Sequence, residues 1–160
     1  VPGCGRGYSL VPLSQGNRFI VGLDISKTAQ QSAQDYLNSI SYAKDKYKLI
    51  NESFFDIKQN DEYDFAYDYT FLCALEPLLR TLWAQTYSRI LKKGGKLMTV
   101  VFPLSAYNPK DPNSGPPYTL SVELIENLLS SHFDKIYEKK LNDNEHHPNR
   151  PSTFVIWQKK

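Results

Sequence analysis

The sequence has 160 residues, 41 % hydrophobic and 22 % charged, which is ordinary usage for one globular domain and argues against disorder or coiled coil as its overall character. Nineteen Lys and Arg against seventeen Asp and Glu leave a net charge of +2, too small an excess to point to a nucleic-acid partner. Two cysteines, Cys4 and Cys73, make neither a disulfide framework nor a zinc cluster and fit a reducing, cytoplasmic setting, and no apolar run nears the roughly 18 residues of a membrane span.

The chain starts at Val1 and runs at once into Gly3-Cys4-Gly5-Arg6-Gly7. A glycine loop of this kind normally follows a strand, and only Val1 and Pro2 are left to supply one. The expectation is therefore an N-terminally truncated single domain over 1–160, with its first strand largely missing. Such a piece is expected to bind cofactor poorly and to turn over little. Residues 6–13 suit a short helix. Residues 19–23 read as a buried strand closed by Asp24. Ser26 then caps a helix carrying Ala29, Ala33, Tyr36, Leu37 and Ile40 at helical spacing. Residues 47–50 form the next strand, with Ser53-Phe54-Phe55-Asp56-Ile57 just past it. After a polar turn over 58–62, a strand over 63–67 ends at Asp68.

Pro77 opens the clearest helix, whose apolar stripe is Leu78, Leu79, Leu82, Trp83, Tyr87, Ile90 and Leu91. Lys92 and Lys93 complement its negative end, and Gly94 suits the C′ position. Residues 97–102 read as a strand covered on both faces. A Pro/Asn/Gly-rich loop of functional length spans 103–117. Ser121 caps a helix facing inward through Val122, Ile125, Leu128 and Leu129. Strands over 133–141 and 153–157 follow, with a polar hairpin loop over 142–151 between them. Alternation of strand and helix gives an α/β fold with a mostly parallel sheet, and two final strands without an intervening helix give an antiparallel C-terminal edge.

Gly3, Gly5 and Gly7 are spaced G-x-G-x-G, whereas a dinucleotide fingerprint needs glycine where Tyr8 stands. That spacing disfavours pyrophosphate binding and, with it, a nicotinamide oxidoreductase. Asp24 follows Gly7 at the end of the next strand, where a carboxylate can accept from both ribose hydroxyls. The ligand implied is an adenosine without a phosphate. The plainer alternative is a tight turn with a surface acid.

The stretches VPGCGRGYSL, VGLDIS, ESFFDI, DYTFLCALEPLLRTLWAQ, LKKGGKLMTVVFP and SGPPYTLS resemble the S-adenosylmethionine-dependent thiol/halide methyltransferases, within the thiopurine S-methyltransferase-like group. The resemblance covers roughly 1–131 and implies a Rossmann-like class I methyltransferase fold. It further implies S-adenosyl-L-methionine as cofactor and a small thiol or inorganic anion (hydrosulfide, thiocyanate, halide) as acceptor, with a thiopurine or other small molecule as the alternative. On that resemblance Gly3, Gly5 and Gly7 pass under the methionine part of the cofactor and Asp24 holds its ribose. Phe55 and Asp56 frame the adenine. Asp68 and Tyr69 lie beside the sulfonium and the acceptor, and Tyr118 contacts the acceptor. A tryptophan-rich N-terminal segment typical of the group is missing from these 160 residues. Each residue also has a bland reading: Asp56 as a helix N-cap, Asp68 as a strand-end cap, and Tyr69 and Tyr118 as packing. The second class of function is a cofactor-binding remnant without activity. His132, His146 and His147 lack metal-ligand spacing, so no metal is expected.

Overall fold

In the computed structural model the described residues are 1–104, 114–142, 144–145 and 150–160. The expected loop over 103–117 is therefore described only at its ends, and His146 and His147 lie outside the described residues. The chain divides into two compact units, Val1–Lys58 and Gln59–Lys160.

The first unit is built on a βαβ turn. Strands β1 (Ile20–Leu23) and β2 (Tyr47–Ile50) pair in parallel, with Ile20 opposite Tyr47, and helix α2 (Lys27–Ser39) connects them. Ser26 caps α2 as expected, its side chain accepting from the Ala29 N–H at 3.2 Å. Ala33 and Leu37 are the buried positions of α2. The apolar face is narrower than the sequence spacing implies: Ile40 is 44 % exposed, and Tyr36 instead meets the exposed Tyr8 edge-on at 4.8 Å. Val1 and Pro2 do continue the sheet. Pro2 bridges Leu23 in parallel, Leu23 donates to the Val1 carbonyl at 3.0 Å, and Cys4 donates to the Leu23 carbonyl at 3.1 Å.

Helix α1 (Leu10–Leu13) is shorter than the expected 6–13 because the glycine loop occupies its first residues. Its fully buried Leu10 lies on Gly22 of β1, where an added Cβ would come within 2.9 Å of Leu10 Cδ1 and 3.1 Å of Leu49 Cδ2. Gly22 thus permits helix and strand to touch. Replacing it with valine is expected to destabilise the protein by about 1–3 kcal/mol through overpacking, read as a lowered urea midpoint. An unchanged midpoint would show that Leu10 moves freely.

The second unit is a four-stranded sheet in the order β3-β4-β6-β5. Strand β3 (Tyr63–Tyr69) pairs in parallel with β4 (Leu91–Val101), and β6 (Ser152–Lys159) runs antiparallel to both β4 and β5 (Phe133–Leu141). The antiparallel C-terminal edge is as expected. Trp157 is buried and donates to Thr99 Oγ1 at 3.0 Å, tying β6 to β4. Helix α4 (Val122–Leu129) is capped by Ser121, which accepts from Leu124 N–H at 3.0 Å, and buries Ile125 and Leu129.

Three expectations need correction here. Helix α3 (Arg80–Ile90) is preceded by a 3₁₀ turn at Pro77–Leu79 and stops before Leu91, which begins β4. Gly94, with φ +76°, is therefore not its C′ residue; it turns the chain within β4, where the register to β3 jumps from Leu91 to Lys96. The buried side of α3 is Trp83, Ala84, Thr86, Tyr87 and Ile90, whereas Leu78 is 90 % and Leu82 42 % exposed.

Candidate functional site

In the first unit, Gly3, Gly5 and Gly7 all take left-handed backbone conformations, with φ of +58°, +53° and +78°. An L side chain is strained there, so the loop depends on glycine. The three glycines are not equivalent. Gly7 is buried, and a Cβ on it would stand 3.2 Å from the Ala33 Cβ, so its smallness seats the loop on α2. A Cβ on Gly5 would meet nothing within 4 Å. Open space lies over that part of the loop.

Asp24 follows the carboxyl end of β1, the end at which ligands bind in open α/β sheets. Its Oδ2 accepts from the Gly5 N–H at 2.9 Å and its Oδ1 from the Ser26 N–H at 2.9 Å. The carboxylate is thereby fixed in direction. Each oxygen keeps a further lone pair, enough to accept from two adjacent hydroxyls.

Sequence reasoning missed the residues that hold this turn. Asn51 donates from Nδ2 to the carbonyls of Asp24 and Ile25, both at 2.9 Å, and Gln30 donates to the Ile50 carbonyl at 2.7 Å. Just past β2, Ser53 caps a 3₁₀ turn at Phe54–Asp56, accepting from Phe55 N–H at 3.3 Å. Asp56 is therefore not a cap. It ends the turn with an exposed carboxylate, beside a half-buried Phe55.

In the second unit, Asp68 departs from expectation. It lies inside β3, not at its end, and is 3 % exposed. Its Oδ1 accepts from the Leu72 N–H at 3.1 Å; its Oδ2 accepts from Trp83 Nε1 at 2.8 Å and from the Tyr87 hydroxyl at 3.1 Å. Burial raises its pKa, against the lowering effect of those donors. The physical reason is strand alternation: Asp68 shares a face with buried Ala66, and that face is inward. Both carboxylate oxygens are engaged by protein donors.

Tyr69 is half-buried at the end of β3, and exposed Thr70 follows at φ +62°. A β-branched residue in that region is strained, and such strain gathers at functional sites. The Leu72–Ala74 turn comes next, and the Cys73 carbonyl accepts from the Tyr118 N–H at 2.7 Å. The half-buried Tyr118 ring lies so close over Gly115 that an added Cβ there would be 2.6 Å from Tyr118 Cδ1.

Arg80 is the second omission of sequence reasoning. It opens α3, donates from Nη2 to the Thr119 carbonyl at 3.3 Å, and keeps a buried Nε–H with no hydrogen-bond partner among the described residues. Burial lowers its pKa, and Tyr118 is near enough to act on its charge. An unpaired charged donor beside a tyrosine can receive an anion.

Neither cysteine is placed as a nucleophile. Burial first, then the charge of Asp24 for Cys4 and of Asp68 for Cys73, pushes each thiol up to about 11. Both are protonated near neutral pH. Among the described residues no three His, Cys, Asp or Glu gather to share a metal ion, and no helix is long and apolar enough to cross a membrane.

The family model for thiopurine S-methyltransferase matches residues 1–158. A probable thiol methyltransferase 2 from Arabidopsis thaliana is 41 % identical over 129 residues, covering 81 % of this chain and 54 % of that protein. Thiocyanate methyltransferase 1 from Brassica oleracea is 37 % identical over the same shares of the two chains. The chain thus spans about half the length of these curated relatives. Among solved structures, a SAM-dependent methyltransferase from Methanosarcina mazei matches with a TM-score of 0.80 at 20 % identity, covering 99 % of this chain and 90 % of that one. That likeness gives the fold, the Rossmann-like α/β architecture of class I methyltransferases.

Proposed function

The chain belongs to the thiopurine S-methyltransferase family, and from that premise we propose that the protein transfers a methyl group from S-adenosyl-L-methionine to a small thiol or inorganic anion such as hydrosulfide, thiocyanate or halide. The observation that carries the reading is Asp24, aimed by the Gly5 and Ser26 amides beside open space over Gly5. The donor supplies an electrophilic methyl on a sulfonium. Asp24 receives its ribose hydroxyls, Gly3 and Gly5 let its methionine part lie against the backbone, and Phe55 and Asp56 frame its adenine, with Asp56 accepting from the exocyclic amine. Gly7 supports this loop from beneath.

On the acceptor side, Arg80 and Tyr118 receive the nucleophile, and Tyr69, at the end of β3, is a further acceptor-side residue. Arg80 supplies positive charge and Tyr118 one hydroxyl hydrogen bond. A hydrosulfide, thiocyanate or halide is already anionic near neutral pH, so the protein has to position it rather than deprotonate it. The protonated state of both thiols fits that requirement. We further propose one methyltransferase domain over 1–160 in a cytoplasmic, reducing setting.

The intact protein, given S-adenosyl-L-methionine with hydrosulfide, thiocyanate or iodide, is expected to release the corresponding methylated volatile into the headspace. Calorimetry is expected to show binding of S-adenosylhomocysteine and none of NAD. Cofactor binding with turnover of a thiopurine only would move the acceptor class; binding with no turnover of any acceptor would leave a remnant. Tyr118→Phe is expected to lower turnover about 2- to 10-fold, the range of one neutral hydrogen bond, at unchanged S-adenosylhomocysteine affinity. Unchanged turnover would remove the role.

A further inference from the structure

We propose that Asp68 is a positioning residue of the acceptor side, one carboxylate that fixes both the turn supporting Tyr118 and the helix that begins with Arg80. The inference rests on the acceptor reading above for its meaning, but on hydrogen bonds of the second unit for its geometry.

A closed path of contacts runs through this unit. Asp68 Oδ1 holds the Leu72 N–H, which starts the Leu72–Ala74 turn. The Cys73 carbonyl in that turn holds the Tyr118 N–H at 2.7 Å. The next residue, Thr119, offers its carbonyl to Arg80 Nη2. Arg80 opens α3, and three residues on, one helical turn along the same face, Trp83 returns to Asp68 Oδ2. Tyr87, a further turn along, donates to the same oxygen and meets the Trp83 ring edge-on at 5.1 Å. The path leaves one carboxylate oxygen and arrives at the other.

Two features argue against a cap that merely satisfies Leu72. The first is the choice of group. An apolar side chain of similar size would fill the inner face of β3 without the desolvation of a carboxylate, and in some proteins a buried polar group is kept because it specifies one arrangement, the role assigned here to Asp68. The second is the bridge across Thr70. Asp68 reaches four residues ahead over a strained, left-handed, β-branched position, holding the chain in a sharp turn it would otherwise relax.

The test is Asp68→Asn in the intact protein. The amide keeps the shape but offers one acceptor oxygen to three donors, so the path opens at one side. The expected result is a roughly 10-fold fall in kcat/KM for the acceptor, of the order of one hydrogen bond to a charged group. S-Adenosylhomocysteine affinity is expected to stay within about twofold, and amide exchange over residues 114–121 to quicken. Trp83→Phe and Tyr87→Phe, each removing one donor, are expected to give smaller losses of the same kind and serve if Asp68→Asn does not fold. Unchanged acceptor kinetics in folded variants overturns the proposal. A parallel loss of S-adenosylhomocysteine affinity also overturns it and returns Asp68 to the cofactor. Should the intact protein methylate none of the acceptors, the exchange measurement decides alone: quickening over 114–121 upholds the positioning role while the function reading fails, and unaltered exchange rejects it.

Discussion

Asp24→Ala is expected to weaken S-adenosylhomocysteine binding to the intact protein about 100-fold or more, measured by calorimetry, because two hydrogen bonds to one charged acceptor are each worth about 1.5–3 kcal/mol. Part of the loss is local. Without the carboxylate the Gly5 and Ser26 amides lose their acceptor, and the loop is no longer tied to the end of β1. Asp24→Asn separates the two contributions. Its oxygen still holds one amide, whereas its NH₂ meets the other backbone N–H donor against donor and no longer accepts from a ribose hydroxyl. An intermediate loss, roughly 10-fold, is expected for this variant on the same scale of energy. Affinity within twofold of the parent in Asp24→Ala would remove Asp24 from the ribose and leave it as the surface acid of a tight turn.

The features legible in the sequence are those with local causes. Ser26 and Ser121 cap their helices because a side-chain oxygen three residues ahead of a free N–H is a short-range signal. Strand β2 keeps its expected bounds because a short run between polar segments is all that defines it. What failed depended on what lies across the fold. The apolar spacing of 77–91 counts Leu78 and Leu82 as inward, yet spacing cannot say which part of a stripe is covered, and both are exposed. Gly94 resembles a helix stop, but the extended chain begins three residues earlier, at Leu91, once β4 finds β3.

The burial of Asp68 was within reach of the sequence. A residue two positions from an inward alanine in a strand points inward too. The weight of the DYTF stretch pointed to a ligand instead. Asn51 and Gln30 had no sequence signal at all, because each acts on a backbone carbonyl that only the pairing of β1 with β2 brings within reach.

Arg80→Met is expected to raise the KM for thiocyanate about 10- to 100-fold, the loss of a hydrogen bond from a charged donor, while S-adenosylhomocysteine affinity stays within about twofold. The argument starts from location. A guanidinium at the opening of α3 ordinarily faces water, but this one has its Nε–H buried without a partner among the described residues, and its Nη2 donates to the Thr119 carbonyl. Leaving a charged donor unsatisfied costs free energy that an arriving anion recovers, so the group favours an anionic acceptor over a neutral one. Methionine keeps the unbranched stem and its packing while removing the charge. The fall should therefore be steeper for thiocyanate than for a thiol assayed well below its pKa, where the acceptor is uncharged. Arg80→Lys keeps the charge but loses the fork that serves Thr119 and the acceptor together, and is expected to fall between the two. Equal losses for charged and neutral acceptors would mean that Arg80 acts only by holding Thr119, and hence Tyr118, in place. In that event Asp68→Asn and Arg80→Met would each open the same path of hydrogen bonds. Their combined effect on kcat/KM would then be smaller than the product of the two taken singly, as groups acting as one unit require.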